Sequence, residues 1–279
     1  MLRQQLGKGT AATHLRGLAS FEQVKSEYDH QAQGYNDITH LPCSILQTEL
    51  LGAALGDCTG LHVLDFGGGS GIHSRQAVDA GAATVDIIDL STEMLRVAED
   101  TEKQLGRTGK IRTFEADVTK PIDHLLEKGL RDQYDIVMSN FCFDHATSQE
   151  QLETMWRNAV SRLKPGGRFV GARVGNMKSK ACADGKYGVT YKDFEDIPGG
   201  VRYRYRIHLN EPIEFEASSL DLSWKGNKEI IEKFGLTDVQ EVDFMSAKTV
   251  RDDTAFWQTF LDDPSMAVVK ATKAVSAAA

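Results

Sequence analysis

The sequence predicts an α/β fold, a mostly parallel sheet with helices on both faces, and three observations carry that expectation. Strand-like apolar runs recur along the chain, stretches of helical periodicity separate them, and a glycine-rich turn follows the first run. The runs fall at 61–66, 84–89, 110–115, 134–140 and 168–174. Between the fourth and fifth, Leu152, Trp156, Ala159, Val160 and Leu163 share one helical face, so Trp156 is expected in the core. Two more strands are expected at 239–245 and 267–271, with a helix at 254–261 between them, which completes a seven-stranded sheet.

After the fifth strand the rhythm changes. Residues 201–209 and 213–220 are strand-like and are joined by Asn210, Glu211 and Pro212, which predicts a β-hairpin insertion beside the ligand-binding edge of the sheet. A helix at 227–234 follows, and Gly235 suits its left-handed C-terminal cap. The expected organisation is a flexible tail at 1–21 and a single domain at 22–279. That domain divides into an N-terminal helical lid at 22–41, a cofactor-binding half at 42–174, and a substrate insertion with the last strands at 175–279.

Composition excludes several function classes. The chain of 279 residues, 41% of them hydrophobic, has material for one large core. Its 32 Lys and Arg against 40 Asp and Glu leave a formal charge of −8, which opposes approach to a polyphosphate, so no nucleic-acid partner is expected. Arg202, Arg204 and Arg206 alternate with Tyr203, Tyr205 and Ile207, as the solvated face of one strand would. Cys43, Cys58, Cys142 and Cys182 are scattered without a C-x-x-C pair, which suggests neither a metal nor a disulfide framework and fits a reducing compartment. No apolar run approaches the roughly 18 to 20 residues of a membrane span, and no signal-peptide core follows the N-terminus. Arg3, Lys8 and Arg16 lend 1–21 a faint likeness to an organellar presequence, while its Gly and Thr content favours an untargeted tail. A cytoplasmic location is therefore expected, with a mitochondrial one as the weaker alternative.

The strongest local signal is Leu64-Asp65-Phe66-Gly67-Gly68-Gly69-Ser70-Gly71, between the first strand and a helix. Glycines there let the backbone pass close to a nucleotide. A dinucleotide fingerprint, G-x-G-x-x-G counted from Gly67, would require glycine where Ile72 stands, so a nicotinamide cofactor is disfavoured. The leading carboxylate, Asp65, suits a ligand bearing an ammonium better than a pyrophosphate. Asp89 closes the second strand in Ile87-Ile88-Asp89-Leu90, near the offset of about 20 residues at which a carboxylate meets ribose hydroxyls. Asp117 ends the third strand, where it could accept from an adenine amino group.

These pieces resemble the class I S-adenosylmethionine-dependent methyltransferases, whose fold is a Rossmann-like seven-stranded sheet. The likeness takes in residues 28–35, 64–71, Asp89 with Met94, Asp117, 135–140, and Leu163-Lys164-Pro165-Gly166-Gly167-Arg168-Phe169. It implies S-adenosyl-L-methionine as cofactor, with S-adenosyl-L-homocysteine as product. Asp65, Gly67 and Gly69 would then hold the methionyl end, Asp89 the ribose, and Asp117 with Val118 the adenine, with Leu90 also in the cofactor site. Met94 and Asn140 would complete the site, with Tyr35 in the lid.

The end of the fourth strand lacks N-P-P-Y, D-P-P-Y and P-C signatures of base or amide methylation, and instead reads Ser139-Asn140-Phe141-Cys142-Phe143-Asp144-His145. A small-molecule acceptor is favoured. The distal half is similar to natural-product methyltransferases such as the toxoflavin methyltransferase and the gliotoxin bis-thiomethyltransferase, although Phe66-Gly67-Gly68 replaces the commoner Ala-Cys-Gly or Gly-Cys-Gly at the cofactor loop. That likeness implies secondary metabolism and, as first choice, S-methylation of a dithiol, with N- or O-methylation as the alternative. His145 is the candidate base, with Asp144 as an orienting or alternative carboxylate. Tyr28, Phe141, Phe143, Trp224 and Trp257 are the candidate acceptor walls. A non-catalytic methyltransferase-like subunit is the rival reading, and a monomer or homodimer is expected.

Overall fold

The computed structural model describes residues 21–224 and 227–275, so the expected tail lies almost wholly outside the described residues. The strands are β1 (His62–Phe66), β2 (Thr84–Asp89), β3 (Ile111–Glu115), β4 (Tyr134–Met138), β5 (Leu163–Val174), β6 (Val189–Ile197), β7 (Gly200–Ile207), β8 (Ile213–Leu220), β9 (Leu236–Glu241) and β10 (Met266–Lys273). Seven of them form one sheet in the order β3-β2-β1-β4-β5-β10-β9, in which β10 runs antiparallel to both neighbours and the pairs from β3 to β5 are parallel. The strand order reverses between β1 and β4, which opens a crevice at their carboxyl ends.

The helices are α1 (Phe21–Gln31), α2 (Pro42–Leu55), α3 (Ile72–Asp79), α4 (Thr92–Gln104), α5 (Gln149–Ser161), α6 (Asp221–Trp224), α7 (Asn227–Lys233), α8 (Lys248–Asp252) and α9 (Thr254–Asp262). Helices on both faces explain why the central strands are apolar throughout: Val63 and Leu64 are neighbours in β1 and both are fully buried, one in each core. One core joins α2, α3, α4, α8 and α9 to the sheet; the other joins α5 and α7. Several helix starts are written into the sequence. Pro42 opens α2, the Ser91 side chain accepts from Met94 N (3.1 Å) at α4, and Ser148 accepts from Gln151 N (3.2 Å) at α5.

The insertion is larger than the expected hairpin. β6, β7 and β8 form a three-stranded antiparallel sheet, and β6 went unforeseen because its pairing slips between Lys192 and Glu195, where Asp193 sits at φ 56°. The arginine stripe on β7 is a solvated face: Arg202 pairs with Glu195, Arg204 with Asp193 and Glu216, and Arg206 with Glu214. The sixth strand also lies earlier than expected, at Leu236–Glu241, because the chain resumes extended structure directly after Gly235, which is at φ 83°.

Two expected pocket residues belong to the core instead. Trp257 is 1% exposed, stacked on Tyr187 (centroids 4.9 Å, planes 16° apart) with Phe260 edge-on at 5.7 Å. Asp253 accepts from Phe256 N (2.9 Å) and caps α9 so that Trp257 and Phe260 turn inward while Phe256 takes the half-exposed edge. Phe143 stacks on Trp156 at 4.0 Å and 8° and packs against Phe66 and Phe169 on the α5 side of the sheet. Trp156 is in the core, as its spacing predicts. Trp224 ends α6, and its side chain lies outside the described residues.

Candidate active site

The crevice at the β1/β4 reversal is one end of an open cleft. Asp65, Gly67 and Gly69 line it, as do Asp89, Leu90, Met94 and Val118, and Asn140 and Phe141 border it from the end of β4. The lid expectation holds in outline: α1 and the turn after it bring Tyr28 and Tyr35 over the cleft, with ring centroids 6.1 Å apart. Asp29 fastens the lid to the start of α4, accepting from Ser91 Oγ at 2.6 Å, and Lys25 Nζ donates to Leu90 O at 3.0 Å.

The loop after β1 needs its glycines. Gly67 has φ +77°, and a Cβ there would stand 2.5 Å from Cys142 Sγ; a Cβ on Gly68 would stand 2.6 Å from Asp65 Cγ. Asp65 is 1% exposed. Its Oδ2 accepts from Ser74 Oγ at 2.6 Å, while Oδ1 has no partner. Burial, reinforced by the nearby Asp89 charge, pushes its carboxyl up to about 7 although Ser74 opposes the shift. Asp89 is held by two backbone donors, Gly69 N to Oδ2 and Ser91 N to Oδ1, both at 2.8 Å. Asn140 Oδ1 accepts from Ala172 N (3.0 Å), which leaves Nδ2 buried without a partner. Phe141 adopts φ +57°, a left-handed conformation that costs an ordinary residue about 1–2 kcal/mol.

Asp117 does not reach the cleft. Its Oδ1 accepts from Thr119 N and Oγ1 and its other oxygen pairs with Lys120, a local turn that draws the carboxylate aside and leaves Val118 and Thr119 on the wall. Asp144 does not orient His145 either. Its Oδ2 accepts from Val174 N (3.2 Å), whereas His145 Nε2 lies 3.2 Å from Tyr28 Oη. Burial alone lowers the His145 imidazole to about 4, so it is uncharged at neutral pH.

A second cleft shares Tyr28, Tyr35, Phe141 and His145 with the first and continues toward the three-stranded sheet. There Tyr191, Tyr203, Tyr205 and Phe215 form an unbroken aromatic wall, with successive centroids 5.3 to 5.6 Å apart. Sequence reasoning overlooked this wall, although the alternation of Tyr203 and Tyr205 with arginines places both rings on one face. It also overlooked Lys25, Gln47, Ser70 and His73 in the first cleft; Ser70 and His73, within and just after the glycine loop, were the ones within reach.

Residues 63–167 match a family described as a methyltransferase domain. Over 111 residues the chain is 31% identical to the ribosomal protein L11 methyltransferase of Exiguobacterium sp., covering 40% of this chain and 31% of that protein. Over 152 residues it is 29% identical to the demethylmenaquinone methyltransferase of Tropheryma whipplei, covering 53% and 57%. The chain thus spans about a third to somewhat over half of the length of these relatives. Among solved structures, the CcbJ methyltransferase of Streptomyces caelestis superposes with a TM-score of 0.58 at 17% identity, covering 89% of this chain and 98% of that one. The [4+2]-cyclase SpnF gives 0.58 at 16%, covering 93% and 98%. The fold is that of the class I methyltransferases, and residues 63–167 are the part of it that matches the methyltransferase-domain family.

Proposed function

We propose that the protein is an S-adenosylmethionine-dependent methyltransferase acting on a small, flat metabolite. The observation that carries this reading is the sharing of one wall, Tyr28, Tyr35, Phe141 and His145, by a glycine-lined cleft and an aromatic one. Two reactants bound in the two clefts meet at that wall. The first cleft fits the cofactor: the unpartnered Asp65 Oδ1 suits the methionyl ammonium, Asp89 the ribose hydroxyls, Asn140 Nδ2 an acceptor atom of the ligand, and Leu90, Met94 and Val118 the adenine faces. When bound, S-adenosylmethionine supplies a methyl group already activated on a sulfonium. The chain's own task is to align the nucleophile and exclude water, which orientation alone can make worth several kcal/mol.

His145 then decides which nucleophiles are served. Held near pKa 4, it is unprotonated at neutral pH and so available to accept a proton from the nucleophile, but it is a weak base. A thiol, with a free pKa of about 8.5, asks little of it, and a neutral amine needs no proton removed before attack. S-methylation of a dithiol metabolite and N-methylation of a heterocyclic amine are therefore the readings kept, ahead of O-methylation. His145→Ala should lower kcat by about tenfold and leave cofactor affinity unchanged; a variant with wild-type kcat removes the base. The general test is calorimetry with S-adenosylhomocysteine and NAD, followed by a mass-shift assay on dithiols, phenols and heterocyclic amines. Absence of S-adenosylhomocysteine binding would sink the whole reading.

Asp65 supplies a pH test. In the free protein its carboxyl ionises at about 7, so below that pH it is largely neutral and offers an ammonium no charge. Cofactor affinity should rise roughly tenfold from pH 5.5 to 7, a window below the α-amino range of about 8. Asp65→Asn should flatten the rise, and a slope that survives this change would assign it to another group. The same raised pKa means that ionising Asp65 destabilises the cofactor-free fold as pH climbs from about 4 toward 7.

A further inference from the structure

The floor of the aromatic cleft holds a carboxylate for which the methyl-transfer scheme has no use. Asp144 lies in the single 3₁₀ turn after β4 and is 5% exposed. One oxygen is taken by Val174 N–H, and Oδ1 has no hydrogen-bond partner. Its polar neighbours, Ser223, whose Oγ donates to Leu220 O (2.7 Å), and Arg173, which pairs with Glu241, ease its charge in part without supplying Oδ1 a hydrogen bond. A buried carboxylate with a free oxygen is costly unless a donor or a cation reaches it.

The rest of the cleft has the same sign. Glu27 stands on its wall from the lid, Glu216 stands on it from β8 with Arg204 beside it on the outer face, and among the described residues no Lys or Arg lines it. Tyr28, Tyr191, Tyr203 and Tyr205 supply ring faces, which attract cations, and burial keeps all four phenols protonated and uncharged. An anionic acceptor would enter a chamber lined by Glu27, Asp144 and Glu216 and, among the described residues, by no Lys or Arg.

We infer that the acceptor carries a basic nitrogen, bound in its protonated form by Asp144 on the floor of the tyrosine-lined cleft. The inference rests on the methyltransferase reading and deepens it by naming the acceptor's chemical class. Asp144 is here a binding residue that sets specificity. The nitrogen it holds is the anchor, and the methylated atom lies elsewhere on the same molecule, beside His145. Burial pushes the Asp144 carboxyl up to about 7 although Val174 N–H, Ser223 and the Arg173 charge oppose the shift, so a bound ammonium would both need its charge and sustain it.

The test uses the full chain saturated with S-adenosylhomocysteine and three flat probes of similar size: tryptamine, tryptophol and indole-3-propionate. Calorimetry should show tryptamine binding at least about tenfold more tightly than tryptophol, and indole-3-propionate binding more weakly than either. Asp144→Asn, which retains an oxygen for Val174 N–H, should bring tryptamine to within about threefold of tryptophol. Tryptamine binding no better than tryptophol, including no binding of either, overturns the inference, as does a preference that survives in Asp144→Asn. Should that variant fail to fold, the wild-type comparison decides alone. Loss of S-adenosylhomocysteine binding counts against the methyltransferase reading, whereas cofactor binding without amine preference counts against this inference alone.

Discussion

Replacing Trp257 with alanine should remove about 3–5 kcal/mol of folding stability, the range for truncating a buried tryptophan. The ring is 1% exposed and contacts Tyr187, Phe256 and Phe260, so the deletion opens a void in the face of the sheet that carries α9. The void would be slow to collapse. Tyr187 is fixed from its other end by a hydrogen bond from its hydroxyl to Phe256 O (2.8 Å), and Phe260 is fully buried against Phe244. Neither cleft is lined by Trp257, and protein that remains folded should bind S-adenosylhomocysteine with wild-type affinity. Urea unfolding paired with calorimetry checks both halves. A variant of near wild-type stability that had lost acceptor turnover would return Trp257 to the acceptor pocket and refute the packing role.

The same residue marks where sequence reading stops. The first five strands could be placed because β1 to β5 are apolar runs with helical stretches between them, and the glycine loop fell where a strand meets a helix. Asp65, Asp89, Leu90, Met94 and Val118 were legible because each lies within a few residues of a strand end, and strand ends converge in this topology. Trp257 was not, since a helix of nine residues with Phe256, Trp257 and Phe260 has more apolar side chains than one narrow stripe holds. Its rotation is set by the Asp253 cap and by Tyr187, a residue distant in sequence. Asp117 failed for a local reason: Thr119 two residues on offers both a backbone and a hydroxyl donor and captures the carboxylate. The aromatic cleft was hardest, because its walls come from the lid, the turn after β4 and three inserted strands, one of them interrupted by a bulge.

Asp89→Ala should weaken S-adenosylhomocysteine binding by about 1.5–3 kcal/mol, equivalent to roughly ten- to a hundredfold in Kd, through loss of charge-assisted hydrogen bonds. Asp89 also organises the cleft before any ligand arrives. Gly69 N–H and Ser91 N–H both point at its carboxylate, tying the glycine loop to the start of α4, and Ser91 in turn caps that helix and donates to Asp29 of the lid. Alanine leaves both backbone donors without their acceptor, so loop and lid should loosen together. Asp89→Asn keeps an oxygen for one of them, and its affinity should fall between those of wild type and alanine. Thermal unfolding of the cofactor-free variants should change by much less than in Trp257→Ala, because the carboxylate sits at the edge of the cleft and not in either apolar core. Calorimetry giving the alanine variant the wild-type Kd would remove Asp89 from the cofactor site, and with it the assignment of the glycine-lined cleft.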